Sequence, residues 1–262
     1  MKQRPTPGGS AGFLESAQGY AATMAPSLRS VAASVVRRAA LQPGERILDI
    51  GSGTGIAAAA AIGEGRVVLG VDGAPAMLEI ARREVPDATF EVMDFNDLQL
   101  DDGSWDVVIS SHALLFADDR PAALREWRRV VRPDGRLSLS VPGPGERSPS
   151  AIYGEIYQRY GIDTSGRYPT QDEFASWAER AGWREIRTAA DPAMAIRLPD
   201  EEAFRLWRQI GSRGPANAEL SEAEHDALTA EMLAITPREK DGTFRIPFGA
   251  LYLTAGNRAA GD

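Results

Sequence analysis

Three glycines, Gly51, Gly53 and Gly55, stand between an apolar run, Ile47–Ile50, and an alanine-rich stretch in the segment ILDIGSGTGIAAAAAIG. Glycine permits a tight strand-to-helix turn and lets a ligand sit against main-chain N–H groups at the helix start. Two carboxylates fall at matching places further on. Asp72 ends the next apolar run and is followed by Gly73; there it can accept hydrogen bonds from both hydroxyls of a ribose. Asp94 lies between Met93 and Phe95 after a third run. It would accept from an exocyclic amine while Met93 and Met77 sandwich a flat ring. Three strand ends thus carry parts fitted to one nucleoside. A dinucleotide fingerprint, G-x-G-x-x-G, needs glycine at position 56, where Ile56 stands, which speaks against a nicotinamide-dependent oxidoreductase.

Each of these residues has a plainer reading. Gly55 also suits close helix–strand packing, Asp72 and Asp94 also suit capping of their own loops, and Met77 also suits the core of its helix. Asp49, two residues before Gly51, reads first as a brace for the glycine loop, and its position in the motif also gives it a place among the cofactor-binding residues.

These parts must be held by alternating strands and helices. Short apolar strands are predicted at Arg46–Ile50, Val67–Asp72, Thr89–Met93, Trp105–Ser110 and Arg136–Val141, with helices near 56–62, 75–84 and 120–131 between them. That alternation implies an α/β fold, a parallel sheet covered by helices on both faces. Two helices, 11–24 and 27–41, are expected before it. After it come a helix over 170–182, a strand near Arg184–Ala190, two helices within 199–237, and a closing strand at Pro247–Ala255. Residues 1–10 read as a flexible N-terminus and 11–262 as a single domain whose segments 142–169 and 199–240 cap the site. Tyr153, Tyr157 and Tyr160, at helical spacing in the first cap, either line a pocket or form the cap's own core.

Composition narrows the function classes. The 262 residues carry a net charge of −8, which counts against a nucleic-acid partner. There are no cysteines and only two histidines, His112 and His225, so no metal site is expected. No run of eighteen apolar residues occurs, so no membrane span is expected and the cytoplasm is the default location. Oligomeric state is left open.

LQPGERILDIGSGTG, SHALLFADDRPAALREWRRVVRPDGRLSLSV and AGWREI together resemble the class I S-adenosylmethionine (SAM)-dependent methyltransferases, in the group similar to the ubiquinone/menaquinone-biosynthesis enzymes. The resemblance spans roughly residues 12–190. It implies a Rossmann-like seven-stranded sheet, mostly parallel with the last strand antiparallel. It also implies SAM as cofactor, S-adenosylhomocysteine (SAH) as product, and a small-molecule acceptor methylated at O, N or C. By the same resemblance Tyr20 closes over SAM, Gly51, Ser52, Gly53 and Gly55 form its loop, and Ser110 and Ser111 receive the methionine amino group through their backbone. PDG stands where PGG is usual, and Ser52 where Cys or Ala is frequent. Ser110-Ser111-His112-Ala113 replaces the Asn/Asp-Pro-Pro-aromatic motif of base amino-methylators, in keeping with the acidic charge. A protein side chain as acceptor, or a SAM-binding regulator without catalysis, are the alternatives.

His112 follows the fourth strand, beside the expected methyl group. It has two readings: general base for a hydroxyl acceptor, or a histidine bonded to nearby backbone that only shapes the pocket.

Overall fold

The computed structural model describes residues 10–144, 148–163, 168–211 and 220–257. The expected flexible segment 1–10 therefore lies outside the described residues except for Ser10. Strands β1 (Arg46–Ile50), β2 (Val67–Asp72), β3 (Thr89–Val92), β4 (Trp105–Ser111), β5 (Val131–Val141), β6 (Arg184–Asp191) and β9 (Ala250–Gly256) form one sheet in the order β3-β2-β1-β4-β5-β9-β6. β1 to β5 run parallel, and β9 lies antiparallel between β5 and β6. The central strands RILDI and WDVVISS are near-continuous apolar runs because both of their faces are covered.

Alternation along these strands sorts the core into two layers. Ile47, Val107 and Ile109 pack with α1 (Ser10–Ala39), α2 (Ile56–Ala61) and α3 (Pro75–Glu84). Leu48, Ile50 and Val108 pack on the other face with Leu124 and Trp127 of α4 (Arg120–Val130) and Phe174 and Ala178 of α6 (Gln171–Arg180).

Two expectations about the elements need correction. The two N-terminal helices are one helix, α1, of 30 residues, about 45 Å long, which runs through Pro26. A proline removes one main-chain bond, and burial of Leu28, Val31, Ala32 and Val35 against the core outweighs that loss. The closing strand begins at Ala250 rather than at Pro247, because Gly249 turns with a φ of 57°. The residues before it, Phe244–Pro247 (β8), pair instead with Ala195–Leu198 (β7) in a separate two-stranded ribbon that the sequence pattern did not suggest. Asp134, in the PDG turn before Arg136, takes a left-handed φ of 62°, which Asp tolerates better than most residues.

The sheet edge fixes where the caps sit. The chain leaves at the carboxyl end of β5 into α5 (Pro149–Arg159), and at the carboxyl end of β6 into β7, α7 (Glu201–Gly211), α8 (Glu222–Ile235) and β8. Phe204, Trp207, Leu228, Met232 and Phe244 of this excursion share one apolar cluster with α1 and the sheet. Tyr153 is fully buried within it, its hydroxyl paired with Thr236 at 2.7 Å, and the Tyr160 hydroxyl donates to Glu231 at 2.8 Å. Both tyrosines are thus engaged in the cap's own structure.

At the opposite edge Arg136 pins the C-terminus of α1. Its guanidinium donates to the Ala39 and Ala40 carbonyls and makes two 2.8 Å bonds to Glu45. Charge-assisted bonds of this kind contribute about 1.5–3 kcal/mol. Arg136→Ala is expected to lower the unfolding free energy by about 2 kcal/mol in urea titration. A loss below about 0.5 kcal/mol would mean α1 is held by packing alone.

Candidate active site

The glycine loop follows β1 directly. Gly51 turns with a φ of 68°, and a β-carbon there would lie 2.1 Å from Cβ of Ala113. Gly55 has a φ of 82°, and its missing β-carbon makes room for Val85, Phe90 and Ala81. Gly53 differs: its φ is 53°, yet a β-carbon would meet no protein atom within 4 Å. The first and third glycines therefore serve close packing, and the middle one faces open space.

The main-chain N–H groups of this loop are largely used inside the protein. Gly51 and Ser52 donate to the Val71 carbonyl at 2.8 and 3.0 Å, Gly55 to the Ser52 carbonyl, and Gly53 to Asp72. This differs from a loop whose amides are free for a ligand. Asp72 ties β2 to the loop by accepting from Gly53 N at 2.8 Å and from Ala74 N at 2.9 Å, one bond to each oxygen. An ionised carboxylate has about four acceptor positions, so each oxygen keeps capacity for a hydroxyl. Asp49 is fully buried and accepts from Ala58 N at 2.9 Å, bracing the start of α2, while its other oxygen has no partner.

Burial sets the protonation of these groups. It raises the Asp49 carboxyl from 3.8 to about 7, against the bond from Ala58 and with added repulsion from Asp72. It also raises Asp72, against the two amide bonds. The Tyr20 hydroxyl on α1 is pushed up to about 12 by burial and by the charge of Asp72, which places it in the field of that carboxylate. His112 is held neutral, its imidazolium driven by burial from 6.5 down to about 3. The signs oppose one another. Asp49's contribution to stability is greatest below pH 3.8 and lost as pH rises through about 7; that of His112 is present above pH 6.5 and lost as pH falls through about 3.

The other expected residues separate. Met93 is buried in the sheet core with Leu69 and Val71, whereas Met77 joins Ala17, Ala21, Ala76 and Ile80 between α1 and α3. Asp94 is exposed and accepts from the main-chain and side-chain nitrogens of Asn96, closing its own turn. Phe95 packs edge-on to Trp127. Gly73 is exposed, with only the Met93 carbonyl near its Cβ position. Ser110 is buried and donates to the Ile50 carbonyl at 2.8 Å, bracing β4 against β1.

Five buried polar atoms near the carboxyl ends of β1 and β4 have no partner: Asp49 Oδ1, Ser52 Oγ, Thr54 Oγ1, Ser111 Oγ and His112 Nε2. Buried polar groups are otherwise nearly always satisfied, so this set fits a polar ligand. Thr54 was missed in the sequence, although it stands between two motif glycines. Ser140, which bonds His112, was also missed; its signal was a hydroxyl within the strand segment RLSLSV.

The chain matches the methyltransferase domain family over residues 48–139. It is 32% identical over 173 residues to demethylmenaquinone methyltransferase of Beutenbergia cavernae, covering 66% of this chain and 69% of that enzyme. The chain belongs to the class I SAM-dependent methyltransferases, in the ubiquinone/menaquinone-like group. This methyltransferase is also 27% identical over 271 residues to nocamycin O-methyltransferase of Saccharothrix syringae, covering 92% and 96% of the two chains. Phosphoethanolamine N-methyltransferase 2 of Haemonchus contortus, solved with SAH, shares the fold with a TM-score of 0.58 at 20% identity, over 88% of this chain and 53% of that one. The methyltransferase spans about half the length of that enzyme.

Two measurements follow for the methyltransferase. Gly51→Ala should destabilise the fold severely, whereas Gly53→Ala should cost only about 1–2 kcal/mol yet weaken SAM binding at least tenfold. Calorimetry with denaturation controls separates the two; equal SAM affinity in Gly53→Ala counts against the loop's open face as the ligand side. Second, a cation beside Asp49 would draw its carboxyl back to the ionised form. SAM binding near pH 6.5 should therefore release a fraction of a proton, detected as a buffer-dependent binding enthalpy and abolished in Asp49→Asn.

Proposed function

We propose that this methyltransferase transfers the methyl group of SAM to an O, N or C atom of a small-molecule metabolite in the cytoplasm. One observation carries the acceptor class. Both cap segments leave the sheet at its carboxyl edge and share a single apolar core with it, so an acceptor must enter beneath a roof of α5, α7, α8 and the β7–β8 ribbon. Such a roof suits a compact molecule better than a folded protein surface. The net charge of −8 and the end-to-end similarity to an enzyme named for O-methylation support the same reading.

When bound, SAM supplies an electrophilic methyl group on a sulfonium. Asp72 would hold the ribose hydroxyls with its remaining acceptor positions, and Gly53 and Gly73 would leave room beside it. Met77, Met93, Asp94 and Phe95 would border the adenine, and Tyr20 would close over the ligand from α1. Asp49, Ser52, Thr54, Ser110 and Ser111 would line the methionine end. The chain's own contribution to rate is then alignment and exclusion of water.

Asp72→Ala should reduce SAM affinity at least tenfold, about 1.4 kcal/mol, while an assay for SAH release with small-molecule fractions gives turnover in the wild type. Unchanged affinity would sink the ribose assignment. SAM binding without turnover on any small molecule, alongside methylation of added protein, would favour the side-chain alternative.

A further inference from the structure

His112 is fixed at the end of β4 by contacts that bear on which ring nitrogen carries its hydrogen. It is 9% exposed and turns at the end of β4 with a left-handed φ of 63°, a region that non-glycine residues seldom occupy. Both its main chain and its ring are fastened to one residue. The His112 N–H donates to the Ser140 carbonyl at 3.0 Å, and Nδ1 lies 2.9 Å from Ser140 Oγ. Nε2 is buried without a partner.

Its place is the junction between cofactor loop and cap. The next residue, Ala113, packs directly on Gly51, and the His112 ring lies 5.7 Å from that of Phe248, at the exit of the ribbon.

Counting donors assigns the tautomer. Ser140 is fully buried, and among the described residues His112 Nδ1 is the partner recorded for its hydroxyl. A hydroxyl donating to Nδ1 puts the ring hydrogen on Nε2 and leaves one unpaired group. The opposite tautomer would strand the serine hydrogen as well as the Nε2 lone pair. The first arrangement leaves one buried group without a partner and the second leaves two, so the first is favoured. In it the ring has no free lone pair with which to accept a proton.

We propose that His112, locked by Ser140 as the Nε2–H tautomer, is a hydrogen-bond donor to an oxyanion of the acceptor, and that the acceptor is an acidic hydroxyl (phenol, enol or carboxyl) that reaches the site ionised. This rests on the methyltransferase reading above and names its substrate class. The acceptor has lost its proton to solvent before transfer. Its oxygen then forms the new O–CH3 bond as the C–S bond breaks, with the electron pair left on sulfur. Anion and sulfonium become neutral ether (or ester) and thioether, so charge is annihilated in a dry site and no base is required. His112 touches the acceptor; Ser140 is a positioning residue.

Long-range proton–nitrogen spectra of the SAH-bound, 15N-histidine-labelled protein test the assignment. With only two histidines, His225→Gln identifies the signals. Nε2 should be protonated and Nδ1 not, without titration between about pH 5.5 and 9. Ser140→Ala should move the hydrogen to Nδ1 or mix the tautomers. In SAH-release assays over phenols, enols, carboxylic acids, alkyl alcohols and amines, the acidic hydroxyls should be methylated. His112→Ala should then lose about 10²–10³-fold in kcat, and His112→Gln, which can donate but cannot act as a base, should recover at least tenfold of that. An unprotonated Nε2, a wild-type tautomer unchanged in Ser140→Ala, or turnover confined to amines and alkyl alcohols would overturn the proposal. Failure of SAH to bind by calorimetry would instead strike the methyltransferase reading, and is read separately from the tautomer.

Discussion

Two carboxylates, Asp49 and Asp72, are taken out of water at the ends of neighbouring strands, and among the described residues no ion pair neutralises either. The site is built around that unfavourable placement. Asp72 turns the glycine loop by holding Gly53, and Asp49 starts α2 by holding Ala58. Main-chain amides partly offset the burial cost without cancelling the charge. On the site proposed above, a positively charged ligand would complete what the fold leaves unbalanced, and affinity for a sulfonium cofactor and the construction of the loop would share one cause.

The roof is continuous with the sheet's own core. α1 is anchored at one end through Arg136 and Ser138, whose hydroxyl donates to the Val35 carbonyl. Further along, Ser27 accepts from the main chain of Arg197 in the ribbon. One helix therefore couples the sheet's far edge, the glycine loop's neighbour α3 and the cap. The cap elements carry core residues such as Phe204 and Met232, so their displacement would disturb the core more than the swing of a surface loop does.

Most strands were legible because buried parallel strands read as unbroken apolar runs, as in VVLGVD and WDVVISS. Pro26 was misleading: local propensity says stop, and tertiary packing of α1 overrides it. The β7–β8 ribbon was hidden because AIRL and FRIP are four residues each, too short for a period to show. In the site, the glycines and Asp72 were readable as types at fixed spacing. Which glycine faces open space, and that the loop amides are already engaged, depends on Ala113, Val71 and Phe90, distant in sequence. Ser140 and Phe248 come to His112 only through strand order.

The position of β9 reaches beyond the site. It zips between β5 and β6 only after the whole excursion from β7 to β8 has been threaded between two halves of one antiparallel pairing. That pairing closes a long loop, and its entropy must be met before the contacts reward it. Assembly of the sheet is thus kinetically tied to collapse of the roof. On the proposed function, the elements that would select an acceptor lie inside the loop that this pairing closes, so substitutions in the cap are expected to slow folding as well as alter specificity.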